Sequence, residues 1–151
     1  MFKKKHEYTP LTEYTIPDLI PHREPFLFLD RILEATPKHV VGEGHLPAES
    51  VIFKGHFPDY PIVPGVILVE AMAQCGGAGL IVAGVLSKCD RFYLASIHNA
   101  KFRRPVYPGE IMRMEIDNKK IASRLVKQSG RIIVNNEHAV EAEWICIYKE
   151  D

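Results

Sequence analysis

Cysteine is scarce in this chain and net charge is absent. The 151 residues hold three cysteines, Cys75, Cys89 and Cys146. An odd number with no C-x-x-C pair gives no disulfide framework, and a thiol in the apolar run around Cys75 reads as buried, so a reducing cytoplasm is the expected compartment. Nineteen basic residues cancel nineteen acidic ones. No global field then draws the protein to nucleic acid or an anionic bilayer, and Lys3-Lys4-Lys5 is too short a run to change that. Behind the basic start MFKKKHEYTP there is no apolar stretch or cleavage site, so no signal peptide is expected. Residues 1–14 are expected to be loosely ordered, with residues 15–151 forming one domain large enough to bury a core unaided. Repeats and low-complexity segments are missing as well. The histidines His22, His45 and His98 show no metal-ligand spacing and read as structural or surface groups; no metal is expected.

One long hydrophobic run stands out, VILVEAMAQCGGAGLIVAGVL from Val66 to Leu86, with Glu70 as its single ionisable carboxylate. Its length would cross a bilayer. Glu70, Gln74 and the glycines Gly76, Gly77, Gly79 and Gly84 argue against that, as does a strand-patterned remainder with nothing else to fill its core. The run is read as a helix buried on every side, roughly 30 Å long at 1.5 Å per residue. Its glycines each cost roughly 1 kcal/mol of helix propensity, which close approach of another backbone is expected to offset.

Around this helix the pattern is mostly of period two. A short helix is expected over Thr15–Ile20, where Thr15 caps and Pro17 suits the first turn. Strands are expected at Phe26–Ala35, His39–Leu46, Phe92–Ile97, Lys101–Arg103, Glu110–Asp117, Ala122–Val134 and Ala139–Tyr148, with Asn135-Asn136 turning the last hairpin. Pro58, Pro61 and Pro64 deny the loop from Pro47 to Pro64 any helix. The expected fold class is α+β, an antiparallel sheet curled around one central hydrophobic helix.

The densest motif is Gly55-His56-Phe57-Pro58-Asp59-Tyr60-Pro61-Ile62-Val63-Pro64-Gly65-Val66, continuing through Glu70-Ala71-Met72-Ala73-Gln74. It resembles the G-H-F-P-x-x-P-x-x-P-G-V-x-x-x-E-A-x-A-Q signature of the FabZ-type (3R)-hydroxyacyl carrier-protein dehydratases, which have the hot dog fold. Ile20-Pro21-His22-Arg23-Glu24-Pro25-Phe26-Leu27 with Asp30-Arg31, and Lys101-Phe102-Arg103-Arg104-Pro105-Val106 with Pro108-Gly109-Glu110, match in the same order. The resemblance runs from about Ile16 to Tyr148, and three collinear segments are a specific signal. Lys54 departs from the glutamine common in the family, Val51-Ile52 from its more usual acidic-proline entry, and Asp59 from a small residue often seen there. These changes leave the motif's histidine and glutamate in place.

The resemblance implies loss of water from a 3-hydroxyacyl thioester in fatty acid biosynthesis. That reaction needs a base for the proton beside the carbonyl, an acid for the departing hydroxyl and a donor for the developing oxyanion. His56 can present a free imidazole near neutral pH. Desolvation in an apolar helix disfavours the charged form of Glu70 and suits it to act as an acid. The N–H of Gly65 or of Val66 has no partner within the helix that begins there. The family likeness further implies that Glu70 is supplied by a second subunit, that Gln74 orients it from one turn away, and that Tyr60 gates an acyl tunnel with Phe57 beside the site. It implies that Lys101, Arg103 and Arg104 meet an acyl carrier protein bearing a 3-hydroxyacyl-phosphopantetheine group. No cofactor is expected, and the assembly is expected to be a homodimer or a trimer of dimers. Other readings are a dehydratase of a polyketide or aryl-polyene pathway, a thioesterase, and a non-catalytic acyl-thioester sensor. The dehydratase-isomerase branch carries aspartate in place of the motif glutamate, and Glu70 argues against it.

Overall fold

The computed structural model describes residues 13–88 and 91–149. The expectations for residues 1–12, including Lys3-Lys4-Lys5, and for Cys89 lie outside the described residues. A four-residue helix α1 (Ile16–Leu19) opens with a reciprocal cap. The backbone N–H and hydroxyl of Thr15 both donate to the Asp18 carboxylate, at 3.0 and 2.8 Å. Strands β1 (Arg31–Ala35) and β2 (His39–Gly44) form a hairpin. After a 3-10 turn at Val51–Lys54 comes the central helix α2 (Gly65–Val82). The chain then runs through β3 (Arg91–Phe102), β4 (Met112–Ile121), β5 (Leu125–Val134) and β6 (Glu137–Lys149).

All six strands join one antiparallel sheet in the order β1-β2-β4-β5-β6-β3. Its inner face packs along α2. From β4, β5 and β6, Met112, Met114, Ile116, Ile132, Val140 and Trp144 point into the core and are fully buried, and α2 answers with Leu68, Val69, Ala71, Met72 and Cys75. By length and composition α2 is apolar enough to cross a bilayer, yet 67% of it is buried inside the protein, as expected for a core helix.

The glycines of α2 do bring the sheet close, although what approaches is side chains rather than the backbone expected. A Cβ at Gly79 would lie 2.2 Å from Val40 Cγ1, and one at Gly76 would lie 2.4 Å from Gln128 Oε1. Gln128 is itself buried and satisfied, donating to Asn118 Oδ1 at 2.7 Å and accepting from Trp144 Nε1 at 3.1 Å. Gly84 serves differently. The helix stops at Val82, short of the expected Leu86, because Gly84 takes φ +73°. Its N–H donates to Ile81 O and that of Val85 to Leu80 O, both at 3.0 Å, a Schellman cap.

Three further expectations change. Phe26–Asp30 is coil and β1 begins only at Arg31. The loop expected to be free of helix holds the Val51–Lys54 turn, which lies ahead of Pro58 and is capped by Ser50 Oγ accepting from Ile52 N–H. The two strands expected around residues 92–103 are one strand, β3, which carries register shifts between Leu94 and Ser96 and between His98 and Lys101. The Asn135-Asn136 turn forms as the sequence predicts, with both residues at positive φ, the conformation a type I′ hairpin demands.

Candidate active site

The 3-10 turn at Val51–Lys54 delivers His56 to its place: the N–H groups of Gly55 and His56 both donate to Ile52 O. Ile62 then holds the residue twice. Its N–H donates to His56 O at 3.2 Å. Its carbonyl lies 3.0 Å from His56 Nδ1. A carbonyl can only accept, so Nδ1 carries the proton and Nε2 presents a lone pair. The imidazole is half-buried, and the ring of Phe57 stacks on it at 4.1 Å between centroids. The His56–Phe57 peptide bond is cis.

Pro64 ends the loop and caps α2 with its carbonyl, which accepts from Ile67 N–H at 3.0 Å and Leu68 N–H at 3.2 Å. The N–H groups of Gly65 and Val66 precede these and have no acceptor in the helix, so the positive end of the helix offers two donors. Val66 is 72% exposed, and the ring of Phe102 covers Gly65 so closely that a Cβ there would sit 2.8 Å from Phe102 Cε1.

Glu70 sits one and a half turns further on, with its side chain 17% exposed. Gln74 Nε2 donates to Glu70 Oε1 at 3.0 Å and to Phe26 O at 3.1 Å, while Gln74 Oε1 accepts from Phe28 N–H at 2.9 Å. One fully buried amide thus orients the carboxylate and pins the 26–28 segment across the helix. Those bonds explain why Phe26–Asp30 is not a strand, since part of its backbone pairing is taken by a side chain. Glu70 faces a small cavity of about 20 Å³ lined by His22, Ala73, Gln74, Phe92, Leu94 and Cys146. His56 is not among the walls of this cavity.

His22, expected to be a structural or surface group, has its Nε2 3.4 Å from Glu70 Oε1. The two lie 48 positions apart in the chain, and no local pattern links them. Cys146, also beside Glu70, has its thiol pushed up to about 12 by burial first and by the negative charge of Glu70 second.

The remaining expected residues lie outside this centre. Tyr60 is exposed, and its hydroxyl is 2.7 Å from that of Tyr107. Arg103 is exposed and pairs with Glu141. Arg104, expected to meet a carrier protein, is turned inward: its Nη2 donates to Glu110 Oε2 at 3.1 Å, and the side chain is 20% exposed. Lys101 is exposed on the opposite face of the sheet, beside a groove of about 470 Å³. The charges of that groove largely pair with one another, as in Arg131 with Glu115 and His39 with Asp117. Among the described residues no group of three or more His, Cys, Asp or Glu side chains could hold a metal ion.

Comparison with known proteins places this geometry. The FabA-like domain family matches residues 20–143. The chain belongs to that family. Over 129 residues it is 40% identical to the 3-hydroxyacyl-acyl-carrier-protein dehydratase FabZ of Solibacter usitatus, spanning 85% of this chain and 79% of that one. The enzyme of the same name from Desulforamulus reducens is 42% identical over 130 residues, 85% of this chain and 90% of its own. That of Bordetella pertussis is 38% identical over 138 residues, 87% and 91%. Among solved structures, the dehydratase heterocomplex ApeI:P from Xenorhabdus doucetiae superposes with TM-score 0.77 at 14% identity, over 91% of this chain and 93% of that one. The E. coli PaaI protein follows at TM-score 0.58 and 12% identity, over 77% and 80%. These likenesses fix the fold as the hot dog fold: an α+β arrangement of an antiparallel sheet around a central helix.

Proposed function

We propose that this chain is a hydro-lyase of fatty acid biosynthesis that removes water from a (3R)-3-hydroxyacyl group held as a thioester on acyl carrier protein. The observation that carries the reading is the contact between His56 Nδ1 and Ile62 O. A carbonyl there calls for a proton on Nδ1, which in the neutral ring leaves Nε2 as the base, on the loop that leads into a helix with two unpaired N–H groups.

In the proposed reaction His56 Nε2 takes the proton from C2, and the electrons of that bond form the C2=C3 double bond. Charge that builds on the thioester oxygen is met by the N–H of Gly65 or Val66, a device worth ~10²–10³ in rate. Glu70, protonated, gives its proton to the C3 hydroxyl, which leaves as water; such proton transfers contribute ~10²–10⁴ each. The trans-2-enoyl thioester is released, and a proton passes from His56 back to Glu70 before the next turnover. No step calls on a cofactor.

His56 and Glu70 meet, in this reading, across a homodimer. Strand β3 is one of the two edges of the sheet and bares Tyr93, Leu94, Ile97 and Phe102, the kind of surface a second copy covers. Its pairing with another β3 would supply Glu70 of one subunit to His56 of the other, with a trimer of dimers as the larger assembly. Phe57 and Tyr60 line the entrance, and Lys101 and Arg103 offer exposed cations to an acidic carrier protein, whereas Arg104 serves the fold. A cytoplasmic location suits the buried free thiols.

The test is ultraviolet absorbance of the conjugated enoyl thioester formed from a 3-hydroxyacyl carrier-protein substrate. His56→Ala and Glu70→Gln should each lower the rate by at least ~10²-fold. Full rate in both variants, or a folded parent protein with no turnover, ends the proposal. Ile97→Asp should give a monomer by light scattering, and that monomer should be inactive; an active monomer would refute the shared site.

A further inference from the structure

We propose that His22 is a positioning residue for Glu70, a second donor that holds one carboxyl oxygen so that the other is left for the substrate. The inference rests on Glu70 being the acid of the proposed reaction.

Glu70 Oε1 receives Gln74 Nε2 at 3.0 Å and faces His22 Nε2 at 3.4 Å. Both contacts fall on the same oxygen. Oε2 has no partner among the described residues and is not sealed from solvent. A carboxyl group fixed through one oxygen keeps its rotamer while the other is free to give or take a proton, which is how an acid is held at a reacting atom.

The surroundings of His22 favour a donor at Nε2. Its Nδ1 is buried without a hydrogen-bond partner. A proton there would be a buried donor with no acceptor, whereas a proton on Nε2 has Oε1 3.4 Å from the nitrogen that carries it. At 3.4 Å the contact is long for a hydrogen bond, and contacts of this kind shorten when substrate fills a site. The other walls of the cavity, Ala73, Phe92, Leu94 and Cys146, offer at most a weak thiol donor.

The segment that carries His22 is anchored on both sides. Arg23 Nη1 donates to Ile20 O at 2.9 Å and to His22 O at 2.7 Å, and Nη2 donates to Pro17 O at 3.1 Å. On the far side Gln74 grips Phe26 O and Phe28 N–H. The guanidinium and the amide thus fix the loop at either end of residues 22–26, and Gln74 acts both on Glu70 directly and on the loop that brings the second donor.

Three substitutions separate a donor from a filler of space. His22→Phe keeps the ring volume and removes the nitrogen. His22→Gln offers an amide donor near the place of Nε2, and His22→Ala removes both. Steady-state turnover of the 3-hydroxyacyl carrier-protein substrate, with circular dichroism melting of each variant, gives the readout. Phe and Ala variants should lose about tenfold or more in kcat with KM within about twofold, and the Gln variant should recover most of that loss. A folded His22→Phe at the parent kcat would overturn the inference. If His22→Phe does not fold, a folded His22→Gln as slow as His22→Ala would overturn it equally, and a change confined to KM would assign His22 to binding instead. Glu70→Gln measured alongside keeps the two readings apart. Should it run at the parent rate, the role of Glu70 falls; should it be slow while His22→Phe is fast, only the role of His22 falls.

Discussion

The two ends of α2 obey different rules. Its C-terminal half is pressed into the sheet: Gly76 and Gly79 have no room for a methyl group, and the helix closes on a fully bonded cap at Gly84. Its N-terminal end is unfinished. Gly65 and Val66 have spare N–H groups, Val66 is the most exposed large apolar residue described, and Glu70 puts a carboxyl group on an apolar helix with Gln74 as its hydrogen-bonding neighbour there. The proposed chemistry thus sits at the open end of the helix, and stability where glycine lets the sheet touch it.

The contrast is sharpest at Glu70. Glu70→Leu should abolish turnover, a loss of at least ~10²-fold, yet leave the melting temperature equal to the parent's or higher, because a half-buried carboxyl group gives way to an apolar side chain. Gln74 keeps its bonds to Phe26 and Phe28 in that variant. A fall of many degrees in the melt would mean that Glu70 belongs to the structural half.

At the other end, Gly79→Ala should do the reverse. The new methyl would meet Val40 Cγ1 at 2.2 Å and Val40 Cβ at 2.9 Å, atoms of a stiff β-branched side chain that cannot swing away. Overpacking costs about 1–3 kcal/mol and outweighs the roughly 1 kcal/mol gained in helix propensity. Urea unfolding should show a lower midpoint, while turnover per folded molecule stays at the parent rate. An unchanged midpoint would show that the sheet yields here.

Gly65→Ala tests the open end by a smaller margin. The clash is with ring atoms at the far end of the Phe102 side chain and not with backbone, so a small turn of the ring relieves it. Stability should change by less than about 1 kcal/mol. Turnover should fall by roughly tenfold as the proposed oxyanion donor is displaced. A loss of stability with full activity would reverse the roles assigned to the two ends.

How much of this was legible in sequence follows the same division. The α2 run announced itself because its signal is local: an apolar stretch introduced by Pro64-Gly65, with Glu70 and Gln74 one turn apart. The Asn135-Asn136 hairpin was equally local. What the sequence hid depends on side chains far along the chain. Phe26–Asp30 carries strand-forming residues, but Gln74, 46 and 48 residues away from Phe28 and Phe26, takes two of its backbone groups. His22 meets Glu70 only because that same amide and Arg23 shape the loop. Arg104 looked like a surface cation until Glu110 turned it inward. Strand β3 appeared broken in sequence because its bulges at Leu94/Ser96 and His98/Lys101 interrupt the alternation.

Cys146 tests the boundary between the two ends by the smallest effect. Its thiol is 5% exposed and lies on the wall of the cavity that Glu70 faces. Burial is the main cause that pushes it up to about 12, and the charge of Glu70 adds to it. At pH 8 such a thiol is ionised to only ~10⁻⁴, and the thiolate is the form that reacts with iodoacetamide. In a Cys89→Ser background, alkylation followed by mass spectrometry should find Cys146 labelled at least ~10²-fold more slowly in the folded protein than in urea. Adding Glu70→Gln can remove only the second cause, so labelling should quicken slightly at most and stay far below the unfolded rate. If the variant labels as fast as the unfolded chain, the charge and not the packing has been protecting the thiol, and the open end of α2 reaches deeper into the core than its exposed residues suggest.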